Sequence, residues 1–99
     1  MRMTFNLSHP IHGDSLQCPA CMGTNLSHRQ IDVFEREEDC ATGLHACITQ
    51  STVTVDNSQE NNPSPRRNGL RIALQCENCQ ATPELIVSQH KGRTFINLV

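Results

Sequence analysis

Apolar residues recur at every second position along this chain, in short runs set apart by turn-forming residues. "GLRIALQC" (69–76) puts Leu70, Ile72 and Leu74 on one side of an extended strand. "HRQIDVFER" (28–36) sets Ile31 and Val33 on one face against Asp32. "ACITQSTVTVD" (46–56) is rich in β-branched residues, alternates at Val53 and Val55, and reads as one strand. The final stretch, "ELIVSQHKGRTFINLV" (84–99), reads as a hairpin turned at Lys91-Gly92, with Val87 opposite Ile96 and Leu85 opposite Leu98. "MTFNL" (3–7) reads as a short first strand. No segment carries a long helical period, so the predicted fold is all-β, built on an antiparallel sheet.

Between the strands the chain is polar. "EREEDCATG" (35–43) reads as a turn or loop. "NSQENNPSPRRNG" (57–69), with two prolines and a closing Asn-Gly, is the clearest loop. The expected organisation is a single domain over 1–99, with 1–15 as an N-terminal extension and 56–69 as an inserted loop.

Such a domain has little with which to build a core. It is 99 residues long and contains three Phe and no Trp or Tyr. Aromatic side chains carry much of the burial in small cores, and a small domain lacking them often needs a cross-link. Six cysteines are available for one. Two pairs have CxxC spacing: Cys18 and Cys21 in "QCPACMG", and Cys76 and Cys79 in "QCENCQA". Zinc in a structural site takes four thiolates in a tetrahedron, and each CxxC turn presents two sulfurs on one side of a tight knuckle. Cys18, Cys21, Cys76 and Cys79 are therefore the expected ligands of one structural Zn²⁺. The long separation between the pairs is tolerable because loop-closure entropy rises only logarithmically with length.

In this reading Pro19 supplies a fixed φ and Gly23 a residue tolerant of positive φ. The second knuckle departs from that form, with Gln80 and Ala81 where a glycine is expected. A thioredoxin-like use of "CPAC" needs the first cysteine at a helix N-terminus, and no helical pattern follows it. Cys40, Cys47 and the histidines show no metal-site spacing and read as ordinary structural or surface residues. Four thiolates close the coordination shell and leave no position for substrate or activated water, so the chain is not expected to be an enzyme.

The first 14 residues hold no apolar run of signal-peptide length, and paired CxxC motifs belong to reducing compartments, so the expected location is the cytoplasm, with no membrane association. Formal net charge is −2, but its distribution is uneven. Residues 14–62 hold Asp14, Asp32, Glu35, Glu37, Glu38, Asp39, Asp56 and Glu60 against Arg29 and Arg36. Residues 63–99 reverse the sign, with Arg66, Arg67, Arg71, Lys91 and Arg93 against Glu77 and Glu84. The sequence thus presents an acidic half and a basic half to any partner.

The combination of "CPAC", "IDVFEREED", "NPSPRRNGLRIALQCENC" and "QHKGRTF" resembles a group of small zinc-ribbon proteins encoded by bacteriophages, prophages and bacteria. The resemblance spans Leu16 to Phe95. It implies a zinc ribbon with two CxxC knuckles and a phage-related origin, but little about activity, because most members are orphans. The chain departs from the group in ending "INLV" rather than in an aromatic residue, and in its N-terminal extension.

Two functions are consistent with these features. The first is a non-enzymatic zinc-stapled module that docks on a host protein or nucleic-acid-processing complex, with Arg66, Arg67, Arg71, Lys91 and Arg93 as partner-binding residues. The second is direct nucleic-acid binding through "PRRNGLR" and "HKGR". The net acidic charge and near-absence of aromatic residues for base stacking favour a protein partner over nucleic acid.

Overall fold

The computed structural model describes residues 15–99. Six strands follow in chain order: β1 (Leu26–Glu35), β2 (Thr42–Thr49), β3 (Thr52–Ser58), β4 (Gly69–Cys76), β5 (Glu84–His90) and β6 (Arg93–Leu98). They form one antiparallel sheet in the order β3-β2-β1-β4-β5-β6, and the described residues contain no helix. The all-β fold is as the alternation predicts. The expected strand at 3–7 and the extension at 1–15 fall almost wholly outside the described residues.

The order divides the sheet into two three-stranded meanders, β1-β2-β3 and β4-β5-β6, joined along a β1–β4 seam. The strands also give the sheet two ends. The cysteine knuckles, the Gln50-Ser51 turn and the 81–83 link lie at one end. The 36–41 and 59–68 connections and the Lys91-Gly92 turn lie at the other.

The last hairpin has the expected register, Val87 with Ile96 and Leu85 with Leu98. Its two-residue turn has φ of 52° at Lys91 and 77° at Gly92, the positive pair that matches strand twist. The reading of 46–56 as one strand is corrected: the chain reverses at Gln50-Ser51, with φ of 50° and 62°, and Ile48 pairs with Val53. Cross-strand packing of β-branched residues holds a turn that carries neither Gly nor Asn. The loop between β3 and β4 spans 59–68, inside the expected 56–69.

Partners across an antiparallel ladder share a face. One register row reads Val53, Ile48, Ile31, Ile72, Leu85 and Leu98, one residue from each strand. The next row on that face reads Val55, Ala46, Val33, Leu70, Val87 and Ile96. No polar side chain interrupts either row.

The opposite face is mixed, with Phe34, Ile86 and Phe95 among mostly polar residues, and the 59–68 loop folds over part of it. Arg71 Nε donates to the Asn61 carbonyl at 2.8 Å, the Ser64 hydroxyl accepts from the Gln89 N–H at 2.8 Å, and Pro63 lies against Gly69, where a side chain would collide with Asn62. Arg36 secures this loop through carbonyls: its guanidinium donates to Ser64 at 2.7 Å, and to Arg67 and Cys40 at 3.2 Å. Under the loop Phe34 is 1% exposed.

Phe34 stacks on His45 with ring centroids 4.5 Å apart. Across β1, β2 and β3, the His45 ring lies between two carboxylates, Nε2 at 2.8 Å from Asp32 and Nδ1 at 2.9 Å from Asp56. The hydrogen bond to Asp32, assisted by Asp56, raises the imidazole above its ordinary value despite partial burial. Gln30, His45 and Cys47 hold Asp32 low against its desolvation; the Ser58 N–H and then His45 hold Asp56 low. With its folded value raised, His45 contributes stability that is full below the unfolded value of about 6.5 and lost as pH rises through the folded value. The carboxylates contribute above their unfolded values, and theirs is lost in acid. Melting temperature of the zinc-loaded protein should therefore fall as pH rises above the ordinary imidazole value of about 6.5, and His45→Gln should flatten that part of the profile. A wild-type and variant difference constant with pH would refute the assignment.

Candidate metal centre

Each knuckle is a tight turn whose backbone amides point at sulfur. In the first, Ala20 N–H donates to Cys18 Sγ and Gly23 N–H to Cys21 Sγ, both at 3.4 Å. Cys18 N–H closes the turn on the Gly23 carbonyl at 2.7 Å. The second repeats this closure, with Cys76 N–H on the Ala81 carbonyl at 2.9 Å. The residue after each second cysteine has positive φ, 67° at Met22 and 64° at Gln80.

The expected role of Gly23 is corrected by this geometry. The left-handed residue is Met22, and Gly23 serves close approach: a Cβ there would collide with the Asn78 side chain of the other knuckle. Nor is the second knuckle less regular for lacking a glycine, since Gln80 and Ala81 repeat the turn of Met22 and Gly23.

The two knuckles meet at the β1–β4 seam. Cys76 ends β4, and Leu26, the first residue of β1, pairs with it. Glu77 N–H donates to the Asn25 carbonyl at 2.9 Å, and the Ser27 hydroxyl donates to Glu77 at 2.9 Å. The sulfurs of Cys18, Cys21, Cys76 and Cys79 all lie within 4.8 Å of one another. Cys18 and Cys79 Sγ are 3.6 Å apart, as are Cys21 and Cys76 Sγ. A zinc tetrathiolate with bonds of about 2.3 Å has tetrahedral edges of about 3.8 Å. Thus the cluster has both the donor set and the dimensions for zinc. Cys18 and Cys76 are buried, while Cys21 and Cys79 face solvent.

Electrostatics point the same way. The amides of Cys79 and Asn78 favour the Cys76 thiolate and bring it down to about 7. At Cys79 the Ala81 amide also favours the thiolate, but desolvation and the Cys18, Cys21 and Cys76 sulfurs outweigh it and push the thiol up to about 12. Without a cation the cluster accepts charge on one sulfur and resists it on the next. A divalent cation removes that conflict by displacing the protons, which makes its binding weaker in acid.

Among the described residues no third pair joins the cluster. Cys40 is exposed in the link before β2, Cys47 lies on the polar face of β2, and both ring nitrogens of His45 are taken by Asp32 and Asp56.

The residues expected to bind a partner lie at the other end of the sheet. Arg66, Arg67, Lys91 and Gly92 line a shallow depression with Glu38 and His90, and Arg67, Arg93 and Thr94 line a second beside it. Arg71 is apart, on the polar face, paired with Glu84 at 2.8 Å. The acidic and basic halves of the sequence do not become separate surfaces. Arg66 forms a two-point contact with Asp39 and lies 3.6 Å from Glu38, while Arg67 lies 3.8 Å from Glu38. The fold recombines what the sequence keeps apart.

Zinc binding to folding-dependent thiolate sites is worth about 10–16 kcal/mol, comparable with or above the whole stability of a small domain. The protein should carry one zinc per chain, and Cys76→Ser should abolish both the metal and the cooperative thermal transition. The Cys40→Ser, Cys47→Ser double variant should keep full zinc content by elemental analysis and most of its melting temperature.

Comparison with protein-family models, with curated proteins and with solved structures gives no match, which leaves the four-cysteine cluster as the strongest functional feature of the chain.

Proposed function

We propose that this is a small, non-enzymatic zinc-stapled interaction protein that docks on a protein partner through the end of the sheet remote from the metal. The observation that carries this reading is the division of labour between the two ends. At one end, four sulfurs make a closed set for zinc, which suits a structural ion with no open coordination position. At the other, Arg66, Arg67, Lys91 and Arg93 gather beside Glu38 and Asp39. The resemblance to phage and prophage zinc ribbons makes a component of a host nucleic-acid-processing complex the partner class of choice, with inhibition as one outcome of docking in the host cytoplasm.

The alternative is direct nucleic-acid binding by the same basic groups. Affinity for a polyanion comes mainly from neutralising phosphates. Arg66 and Arg67 already face carboxylates, which lowers their value to phosphate and places negative charge in its path. A mixed-charge patch suits a protein surface, where both signs find counterparts.

Capture of partners from host lysate by the tagged, zinc-loaded protein, with and without nuclease, separates the two readings: a protein partner survives nuclease treatment. Replacing Arg66 and Arg67 together with Ala should leave zinc content and melting temperature nearly unchanged, since exposed ion pairs contribute about 0–1 kcal/mol each. The same variant should weaken the partner complex about tenfold or more, with a moderate salt dependence. Wild-type affinity in the double variant would place the docking surface elsewhere. A steep loss of affinity with added salt would identify nucleic acid.

A further inference from the structure

The two apolar rows, twelve side chains from six strands, make one continuous face. Within the chain much of it is open to solvent: Val53 is 61% exposed, Val55 63%, and Ile48 and Ile96 40% each. The apolar residues buried among the described residues number five, Cys18, Phe34, Leu74, Cys76 and Leu98. Two of those are metal-site cysteines, Phe34 lies on the opposite face, and Leu74 and Leu98 are the part of the apolar face already covered within the chain. A sheet with one apolar side is half of a two-layer structure, and the described residues supply one layer.

We propose that the second layer is a second copy of this chain, the two sheets packing apolar face to apolar face as a β-sandwich homodimer.

Area supports this. Six strands about 4.8 Å apart and two rows about 6.8 Å apart outline roughly 400 Å² in projection. Side-chain relief adds to that, so a face-to-face pair removes on the order of 1,000 Å² of accessible surface, the lower bound for a specific interface. Composition supports it as well. Interfaces between copies of one chain that stay together are apolar, like a domain core cut in half. Neither row contains a charge or a hydrogen-bonding side chain, so nothing within the two rows selects a partner of different chemistry. A twisted sheet of β-branched and leucine side chains is matched in shape by another such sheet, stacked about 10 Å away with strands crossing at about 30°. A two-fold axis through the face supplies that match from the same sequence. The limit of the interface is marked too. Beyond the second row the same face carries Glu35, opposite Leu44, and Gln89, opposite Thr94, a polar rim around an apolar centre. The basic cluster at the sheet end stays outside this interface. Residues 1–14 are a poor substitute, with five apolar side chains (Met1, Met3, Phe5, Leu7 and Ile11) against twelve on the face.

Sedimentation equilibrium on the full-length, zinc-loaded chain tests the proposal. The wild type should be a dimer at micromolar concentration. Val55→Lys should raise the dissociation constant at least about a hundredfold, because the dimer then buries two uncompensated charges. Thr54→Lys, the adjacent residue on the opposite face, should change it less than about threefold. Zinc content and the far-ultraviolet spectrum report whether each variant folds, and Ile96→Lys on the far edge strand is a second probe should Val55→Lys fail to fold. Isotope-filtered NMR on mixed labelled and unlabelled protein should show contacts between copies among the Ile31, Val33, Leu70 and Ile72 methyl groups. A wild-type monomer at these concentrations overturns the proposal, whether the face is then covered by residues 1–14 or left open for another protein. So does a dimer indifferent to Val55→Lys and Ile96→Lys, which is the behaviour expected of edge-strand pairing.

Discussion

Four thiols at mutual distances of a few ångströms cannot all ionise without a cation between them, and the rest of this molecule depends on that constraint. The sulfurs come from turns separated by 55 residues between Cys21 and Cys76, so the charge problem is solved only when the two knuckles meet. Their meeting sets the start of β1 against the end of β4, at one end of the seam along which the two meanders pair. The knuckle amides provide first-order stabilisation of the thiolates but leave Cys79 strongly resistant to ionisation. A cation held there would be part of the fold, in the way an apolar core is part of a larger one.

Much of this was legible from residue spacing. Alternation located β1, β4, β5 and β6, the Lys91-Gly92 pair set the register of the last hairpin, and the CxxC pairs identified the four sulfurs that come together. Those are local signals, each contained within a few residues. The turn at Gln50-Ser51 was hidden because it lacks the glycine or asparagine that positive φ ordinarily favours; flanking Val, Ile and Thr pairs impose it instead. The same holds at Met22 and Gln80, where closure of the knuckle overrides side-chain preference. Tertiary geometry outweighs a left-handed backbone cost of about 1–2 kcal/mol per residue.

Other features were illegible in principle. Strand-by-strand alternation identifies Ile31, Leu70, Val53 and Val87 as facing apolar surroundings, but whether six strands put those residues on one side is a matter of register between distant segments. Arg36 sits in an acidic run and looks like solvated charge. It instead ties two carbonyls of the longest loop, Ser64 and Arg67, to that of Cys40 in its own connection, and carbonyl partners leave no trace in sequence. His45 likewise joins Asp32 and Asp56 only after β1, β2 and β3 have paired.

The strand order β3-β2-β1-β4-β5-β6 has a consequence for how the chain reaches this state. Within each meander, every strand pairs with its neighbour in sequence, across connections that close at modest entropic cost. The β1–β4 seam alone joins strands that are not consecutive, so its closure carries the largest loop entropy in the sheet. The metal site sits on that seam. Its four cysteines thus lie where chain entropy opposes folding most. A zinc ion held by these four sulfurs would therefore tie the two meanders together at the point where they are farthest apart in sequence.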